Sequence, residues 1–512
     1  MDSSKIKLII FGIVITFVAL YLGVSAASAQ FEAVAWVVGS LTVISCMMMG
    51  RSIWLLIPFL AAVNLNLRIP TTPSSLMVAQ VLVIGFSVLF FAARRISLRP
   101  TFTELEWWMI GLTLMVGQVY VRHPTGVSFA GSDTVGGKAY ITYGLTLVSA
   151  FYLSWLVIDQ KDLKRIFPLV VLGSFINLGI GVLGKLFPIV GYFTGAKFEM
   201  SGSPTGAQDS KAASRFLELA TFGQKLSLLV ASLKNPLLAA LNPLWLLVIL
   251  ISLAAALYGG FRSGVMAVIL TYVVGTWYRG GFVAVLVGSV LGCGAITALA
   301  VVNLVSPLPP NIQRSLTFLP GTWEQRYIDD AEGSTDWRVE IWIEVLTTDR
   351  WIKNKVFGDG LGFSKANLEY VKSLSKMQGT GISGFDLHRE TILANGDYHS
   401  GPVSTIRVIG YVGLLYLLVF QIRLMVLTHR QILRCRGTEW FPLALLIGIP
   451  IMWQPVFFHV FFGDFRSEAA GILISCGMIR ILQRWLPLPE YSKYRAPVIV
   501  PLAVQPRALA QR

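Results

Sequence analysis

Charged residues are scarce in this chain. They make up 13% of its 512 residues, whereas hydrophobic residues make up 54% and the mean hydropathy is +0.66. This composition excludes the soluble globular class and indicates a polytopic helical membrane protein. Turn-rich segments of alternating polarity are also lacking, so we expect the membrane spans to be helices.

Cysteine is rare as well, and its few positions show no pattern. Cys46, Cys293, Cys435 and Cys476 lack the spacing of metal ligands, so the sequence supports neither a disulfide framework nor a zinc site. The adjacent carboxylates of Asp329 and Asp330 have no acidic cluster near them. We therefore predict no metal site and no cofactor. Related halves of the kind that build many transporters are not visible either.

Apolar runs long enough to cross a bilayer occur about fourteen times. They lie near residues 8–25, 33–50, 52–67, 76–93, 106–121, 139–158, 165–187, 215–233, 236–258, 262–279, 281–302, 405–427, 441–462 and 468–483. The 52–67 run is short and contains Pro58, so a re-entrant segment is an alternative there. The first run resembles a signal peptide, but its length favours an uncleaved span.

The basic residues in the short loops predict an orientation. If the N-terminus is inside, one side collects most of them, including Arg94, Arg95 and Arg434. This bias places both termini on the cytoplasmic side of the membrane and the long loop outside. In a bacterium the membrane would be the inner (plasma) membrane, and the loop would face the periplasm. The net charge of +15 then reflects topology and attraction to an anionic lipid bilayer. Because the basic residues are spread over many loops, we predict no nucleic-acid partner.

Four regions follow from this pattern. Residues 1–302 form an N-terminal bundle of transmembrane helices, 405–483 form C-terminal transmembrane helices, and 484–512 form a basic cytoplasmic tail. Between the helices, residues 303–404 form one large periplasmic loop with amphipathic helices, here called the long polar region. The predicted fold is thus an all-α polytopic protein with about 14 transmembrane helices.

The long polar region should contain an interfacial helix. Ser334-Thr335-Asp336 offers N-cap chemistry, and Trp337, Ile341 and Val345 then recur at helical spacing. We expect this face to lie on the membrane, with its tryptophans at headgroup depth. Arg338 on the same helix is a candidate ligand-binding residue, and a solvated charge on a surface helix is the alternative.

Glycines and histidines supply further candidates in this region. Gly358, Gly360 and Gly362 suggest an ordinary turn, or less readily a nest of amide donors for an anion. His399 precedes a helix expected to restart near Thr405, where it could exchange a proton near neutral pH and activate a sugar hydroxyl. A capping role is the alternative for any loop histidine, and His388 and His123 are competing candidates.

Arg215 and Arg262 stand at the outer ends of two predicted spans. Placing an arginine at a membrane edge costs free energy, and such residues often mark a ligand pathway. A guanidinium group can bind phosphate oxygens with two parallel hydrogen bonds and stays charged at physiological pH. Either arginine alone could be a charge at the headgroup layer. Together with Arg338 and His399 on one face, they predict a site for a phosphorylated ligand.

Taken in order, these motifs resemble the O-antigen ligase and O-antigen polymerase superfamily, bacterial enzymes of surface-polysaccharide synthesis. An arginine precedes a Thr-x-Gly stretch, and a Gly-x-Arg-Ser-Gly sequence begins a later span. An Arg-x-x-x-Trp pair, spaced glycines, a histidine followed by serine, and a Gly-x-x-Gly pair follow. These motifs occupy residues 215–223, 260–264, 338–342, 358–362, 399–400 and 410–413. The resemblance therefore covers roughly residues 215–413, and the other spans share only their hydrophobicity.

The resemblance implies a metal-independent glycosyltransferase whose donor is an undecaprenyl-diphosphate-linked glycan. Arg215, Arg262 and Arg338 would hold the diphosphate, and His399 with Arg338 would carry the catalytic step. The acceptor would be a glycan or a lipid, and the product an O-antigen or another exopolysaccharide. A chain-length regulator would be a further partner. No residue identifies the acceptor, so polymerase and ligase stay open alternatives.

A lipid-linked-sugar flippase or polysaccharide transporter is the main competing hypothesis. A transporter should have ionisable residues at mid-bilayer depth and short loops throughout. This chain has few charges within its spans, Lys225 among them, and one long polar region. These features favour the enzyme. A structural subunit of a polysaccharide export complex is a third alternative.

Overall fold

The computed structural model describes residues 31–66, 73–125, 137–194, 198–200, 214–362, 369–370, 373 and 384–486. The predicted span at 8–25 lies outside these residues, as does most of the basic tail. The described residues fall into two compact units. The smaller holds residues up to Trp54 and Leu82–Ser97, and the larger holds Leu55–Val81 and the residues from Leu98 onward.

Helices make up most of the structure. In chain order they are α1 Phe31–Met49, a 3-10 turn Gly50–Leu55, α2 Leu56–Val63, α3 Ser75–Ala92, α4 Glu104–Arg122, α5 Lys138–Trp155, α6 Gln160–Leu186, α7 Pro188–Thr194, α8 Leu217–Leu233, α9 Pro236–Ala239, α10 Pro243–Tyr258, α11 Arg262–Val305, α12 Pro310–Leu316, α13 Gln325–Thr347, α14 Gly384–Asn395, α15 Gly401–Cys435, α16 Phe441–Val456, a π-helical turn Phe457–Phe461 and α17 Phe465–Trp485. A short antiparallel pair, β1 Phe198–Met200 and β2 Ser214–Phe216, precedes α8.

The chain is an all-α membrane protein. Six described helices are long and apolar enough to cross a bilayer: Trp36–Val63, Ser75–Ala92, Gln160–Leu186, Arg262–Val305, Gly401–Cys435 and Phe441–Phe461. Pro243–Tyr258 is apolar but shorter. Helices also occupy the other predicted runs from residue 33 onward. The number of membrane crossings, the four regions and the outer position of the long polar region stay predictions.

Helix α15 is broken at one residue. Gly410 has φ 74° and ψ −178°, so the helical hydrogen bonds fail around it. The segment 355–360 supplies the missing partners: the amides of Tyr411 and Val412 donate to the carbonyls of Lys355 and Val356, at 2.8 and 3.2 Å. In the other direction, the amides of Asp359 and Gly360 donate to carbonyls of α15 at 2.7 and 3.1 Å. The break therefore attaches the long polar region to α15.

Helix α13 departs from its predicted boundaries. It begins at Gln325, not after 334–336, because reciprocal hydrogen bonds between Gln313 and Glu324 fix its start. The predicted apolar face exists, but Ile341 and Val345 are buried within the protein. They pack with residues of α14 and α15, including Leu393 and Ile406. The prediction that this face lies on the membrane was therefore wrong.

Helix α15 also begins earlier than predicted. Ser400 caps it through a hydrogen bond accepted from the amide of Val403, so the helix starts at Gly401 and not near Thr405. Its interior residues Leu417, Phe420 and Leu424 are buried. This places His399 immediately ahead of a well-defined helix start.

Candidate functional site

Arg215 and the turn before Arg262 lie against each other. The amide of Phe216 donates to the carbonyl of Gly259 at 3.0 Å, and the Arg215 guanidinium lies 6.0 Å from the centre of the Phe261 ring. A side chain at position 259 would bring its Cβ within 2.7 Å of the Cβ of Ala220 on α8, so glycine permits this approach. The structure thus brings together two of the predicted arginines.

Arg314, a residue without a predicted role, is buried at the same place. It lies on α12, where its Nη1 donates to the carbonyl of Gly260 at 2.6 Å and its Nε donates to Oδ2 of Asp330 at 2.5 Å. Ser315 and Asn311 on the same short helix donate to the carbonyls of Leu257 and Tyr258. Helix α12 is therefore fixed to the turn that leads into Arg262.

Arg338 extends from α13 toward the other arginines. Burial, and then the positive charges of Arg262, Arg215 and Arg314, lower the pKa of Arg338 from its ordinary value. Its Nε is buried and has no hydrogen-bond partner among the described residues. A buried guanidinium that feels three other positive charges and has an unsatisfied donor is the arrangement expected of a binding site for an anion.

His399 lies beside α13, at the residue that precedes Arg338. Its ring centre is 6.1 Å from that of Trp337 and 5.5 Å from that of Phe462, on which it stacks. The backbone of His399 is left-handed, with φ 52°, which is uncommon for a residue other than glycine. Trp342 donates to the carbonyl of Tyr398 at 2.8 Å and so binds the histidine turn to α13.

The four arginines and His399 therefore belong to one neighbourhood, which we call the arginine site: Arg215, Arg262, Arg314, Arg338 and His399. Arg215 and Arg314 both contact the turn before Arg262, through the Phe261 ring and the Gly260 carbonyl. The charges of these three arginines act on Arg338, and His399 contacts Trp337, the residue before Arg338. Arg215 lies on β2 and not on the helix it was expected to open, whereas Arg262 is the first residue of α11.

Other predicted candidates have different roles. The amides of Asp359 and Gly360 are used by carbonyls of α15, so the glycine run is not an amide nest for an anion. His123 ends α4 as its C-terminal cap. The side chain of His388 lies outside the described residues. Asp330 pairs with Arg314, and among the described residues no group of three or more His, Cys, Asp or Glu side chains could hold a metal ion.

Arg314 and Asp330 were missed because their pairing is a tertiary contact. Pro307, Pro309 and Pro310 are typical of an irregular segment, so the sequence gives no reason to expect a helix there. Asp330 was considered only as a metal ligand. A buried arginine needs a partner, but the sequence does not say which carboxylate reaches it.

Comparisons with known proteins add no family. No protein-family model matches the chain. No curated protein matches it either.

Proposed function

We propose that the protein is a membrane glycosyltransferase that polymerises or ligates a lipid-diphosphate-linked oligosaccharide. The observation that carries this proposal is the convergence of Arg215, Arg262, Arg314 and Arg338, with His399 next to the helix of Arg338. A lipid diphosphate is the membrane-borne ligand that suits such a cluster, because each guanidinium can bind phosphate oxygens.

The reaction would break the bond between the anomeric carbon of the donor sugar and the diphosphate oxygen. The diphosphate would leave with the electron pair of that bond, and the arginines would stabilise the negative charge that develops on it. The acceptor hydroxyl would form the new glycosidic bond at the same carbon. Its proton would pass to His399, or His399 would orient the hydroxyl while the proton passes to the departing diphosphate.

The orientation of the chain also belongs to this proposal. With both termini on the cytoplasmic side of a bacterial inner membrane, the long polar region would face the periplasm. Undecaprenyl-diphosphate-linked glycan is the expected donor there. A glycan or a lipid would be the acceptor, and a chain-length regulator would be a partner if the product is a polymer. O-antigen and exopolysaccharide are both compatible with this chemistry.

Substitution of Arg338 tests the proposal most directly. In membranes supplied with a polyprenyl-diphosphate-linked glycan, Arg338→Ala should lower product formation by about a hundredfold or more, because a charge-stabilising donor is lost. Arg338→Lys should recover little of it, since an ammonium cannot make paired hydrogen bonds to phosphate. Normal product from Arg338→Ala would refute the assignment.

Arg350 provides the matched control. It is also in the long polar region, but it is exposed and forms an ion pair with Glu390 at 2.7 Å. Arg350→Ala should keep both the protein level and the activity, because exposed ion pairs contribute little to stability. Equal loss from both variants would mean that the assay reports folding and not the arginine site.

A lipid-linked-sugar flippase is the second candidate, and one residue favours it. Lys225 lies on α8 beside an apolar cleft formed with α6 and α16, lined in part by Ser174, Phe222 and Leu446. Ionisable residues inside a membrane often belong to a transport pathway. Purified protein in liposomes separates the two: a transferase forms a glycosidic bond there, whereas a flippase moves a labelled lipid-linked sugar across the bilayer and forms none.

A further inference from the structure

One carboxylate lies inside the group of positive charges. Asp330 accepts a hydrogen bond from Nε of Arg314 at 2.5 Å, and its charge also acts on Arg262. The Arg314 side chain is 6% exposed and the Asp330 side chain 36%, so Asp330 is the more solvent-exposed member of the pair. A negative charge here weakens the attraction of the arginines for any anion that binds them.

The Arg314–Asp330 pair also connects the elements that carry Arg262 and Arg338. Through Gly260, Arg314 holds the turn ahead of Arg262. Through Asp330, it holds the first half of α13, two helical turns before Arg338. One guanidinium therefore fixes the separation between Arg262 and Arg338, which is the separation that a diphosphate would have to match.

Repulsion among the arginines gives a physical reason for the presence of the Asp330 carboxylate. Guanidinium groups that face one another repel, and this repulsion opposes the folded arrangement when no anion is bound. A carboxylate hydrogen-bonded to Arg314, the most buried of the four arginines in the site, offsets that repulsion when no anion is bound. The same charge must weaken the binding of a departing diphosphate, which carries more negative charge than the esterified donor.

We propose that Asp330 is a positioning residue that holds Arg314 in the arginine site and lowers the affinity of the site for the released diphosphate, so that the product leaves. The inference rests on the proposed function for its ligand, a diphosphate. It assigns Asp330 no contact with the reacting atoms.

The substitution Asp330→Asn separates charge from geometry, because the amide oxygen of asparagine can still accept the hydrogen bond from Arg314. Binding of inorganic pyrophosphate to the purified full-length protein in detergent, with chelator present, should become at least about threefold tighter. In the transfer assay, turnover should fall while the apparent KM for the donor falls or stays unchanged.

Two variants serve as controls. Asp349 also lies in the long polar region and pairs with Lys355, but its side chain is 84% exposed, so Asp349→Asn should leave pyrophosphate binding unchanged. Asp330→Ala removes both the charge and the hydrogen bond, so it should lower the melting temperature more than Asp330→Asn does.

The outcomes distinguish this inference from the proposed function. Tighter pyrophosphate binding by Asp330→Asn supports the inference even if the wild-type protein transfers no sugar, a result that would refute only the transferase. Unchanged or weaker pyrophosphate binding by a folded Asp330→Asn variant overturns the inference, even if the wild type is an active transferase. An equal change in Asp349→Asn also overturns it, because the effect would then be general surface charge.

Discussion

Gly410 and Val356 approach each other backbone to backbone, so that a Cβ at position 410 would overlap the carbonyl group of Val356. The same approach is made from the other side, where a Cβ on Gly358 would overlap the carbonyl of Val408. Both glycines have positive φ angles, 74° and 81°. The two spaced-glycine motifs of the sequence are thus the two halves of one contact.

Gly410→Ala should therefore destabilise the protein by at least about 2 kcal/mol, because alanine brings both a strained φ and a steric clash. The expected result is a lower melting temperature in detergent and less protein in the membrane. Gly117→Ala is the matched control: Gly117 lies in α4, and a Cβ added there would meet no neighbouring atom of the described residues within 4 Å. That variant should be neutral or slightly stabilising. Equal melting temperatures for the two variants would contradict the backbone contact.

Orientation can be tested with single cysteines in a Cys293→Ser background, since Cys46, Cys435 and Cys476 are buried. Asp349 and Glu439 have side chains that are 84% and 52% exposed and lie on opposite predicted sides of the membrane. In intact cells, a membrane-impermeant maleimide should label Asp349→Cys and spare Glu439→Cys until the membrane is opened. The reverse pattern would place the arginine site in the cytoplasm and contradict the proposed donor.

The helices were predictable because a bilayer leaves the backbone of an apolar run no partner but itself. The positions at which these helices are interrupted were not predictable. The break at Gly410 depends on hydrogen bonds to residues more than fifty positions away, such as that from Tyr411 to Lys355. Periodicity describes one helix at a time. It therefore marked Trp337, Ile341 and Val345 as an apolar face without showing that protein, and not lipid, covers it.

The residues of the candidate site were also predictable only in part. Arg215 and Arg262 were predicted because an arginine at a membrane edge costs free energy, and Arg338 because it lies on the predicted interfacial helix. In the structure the charges of the first two act on the third. Arg314 has the same chemistry but stands where no regular element was expected. Its partner Asp330 lies 16 positions further along the chain. Such a pairing follows from how α12 packs on α13, and local sequence patterns carry no information on that.

The transfer reaction should be independent of divalent metal. In the proposed reaction the arginines would supply the positive charge that a metal would otherwise bring to a departing diphosphate. Activity measured after treatment with EDTA should match that of untreated protein within about twofold, and added Mg²⁺ should not raise it further. A loss that Mg²⁺ or Mn²⁺ restores would show that the arginines do not neutralise the leaving group alone.

His399→Ala should lower turnover by about a hundredfold, because the acceptor hydroxyl would lose its base or its orienting partner. Pyrophosphate binding should persist, since the proposal assigns it to the arginines. His399→Gln can hydrogen-bond but cannot take up a proton near neutral pH: retained activity would assign orientation, and loss would assign proton transfer. His123→Ala is the control, because His123 is an exposed helix cap and should be dispensable. Normal turnover in His399→Ala, with loss in His388→Ala, would show that His388 is the reacting histidine.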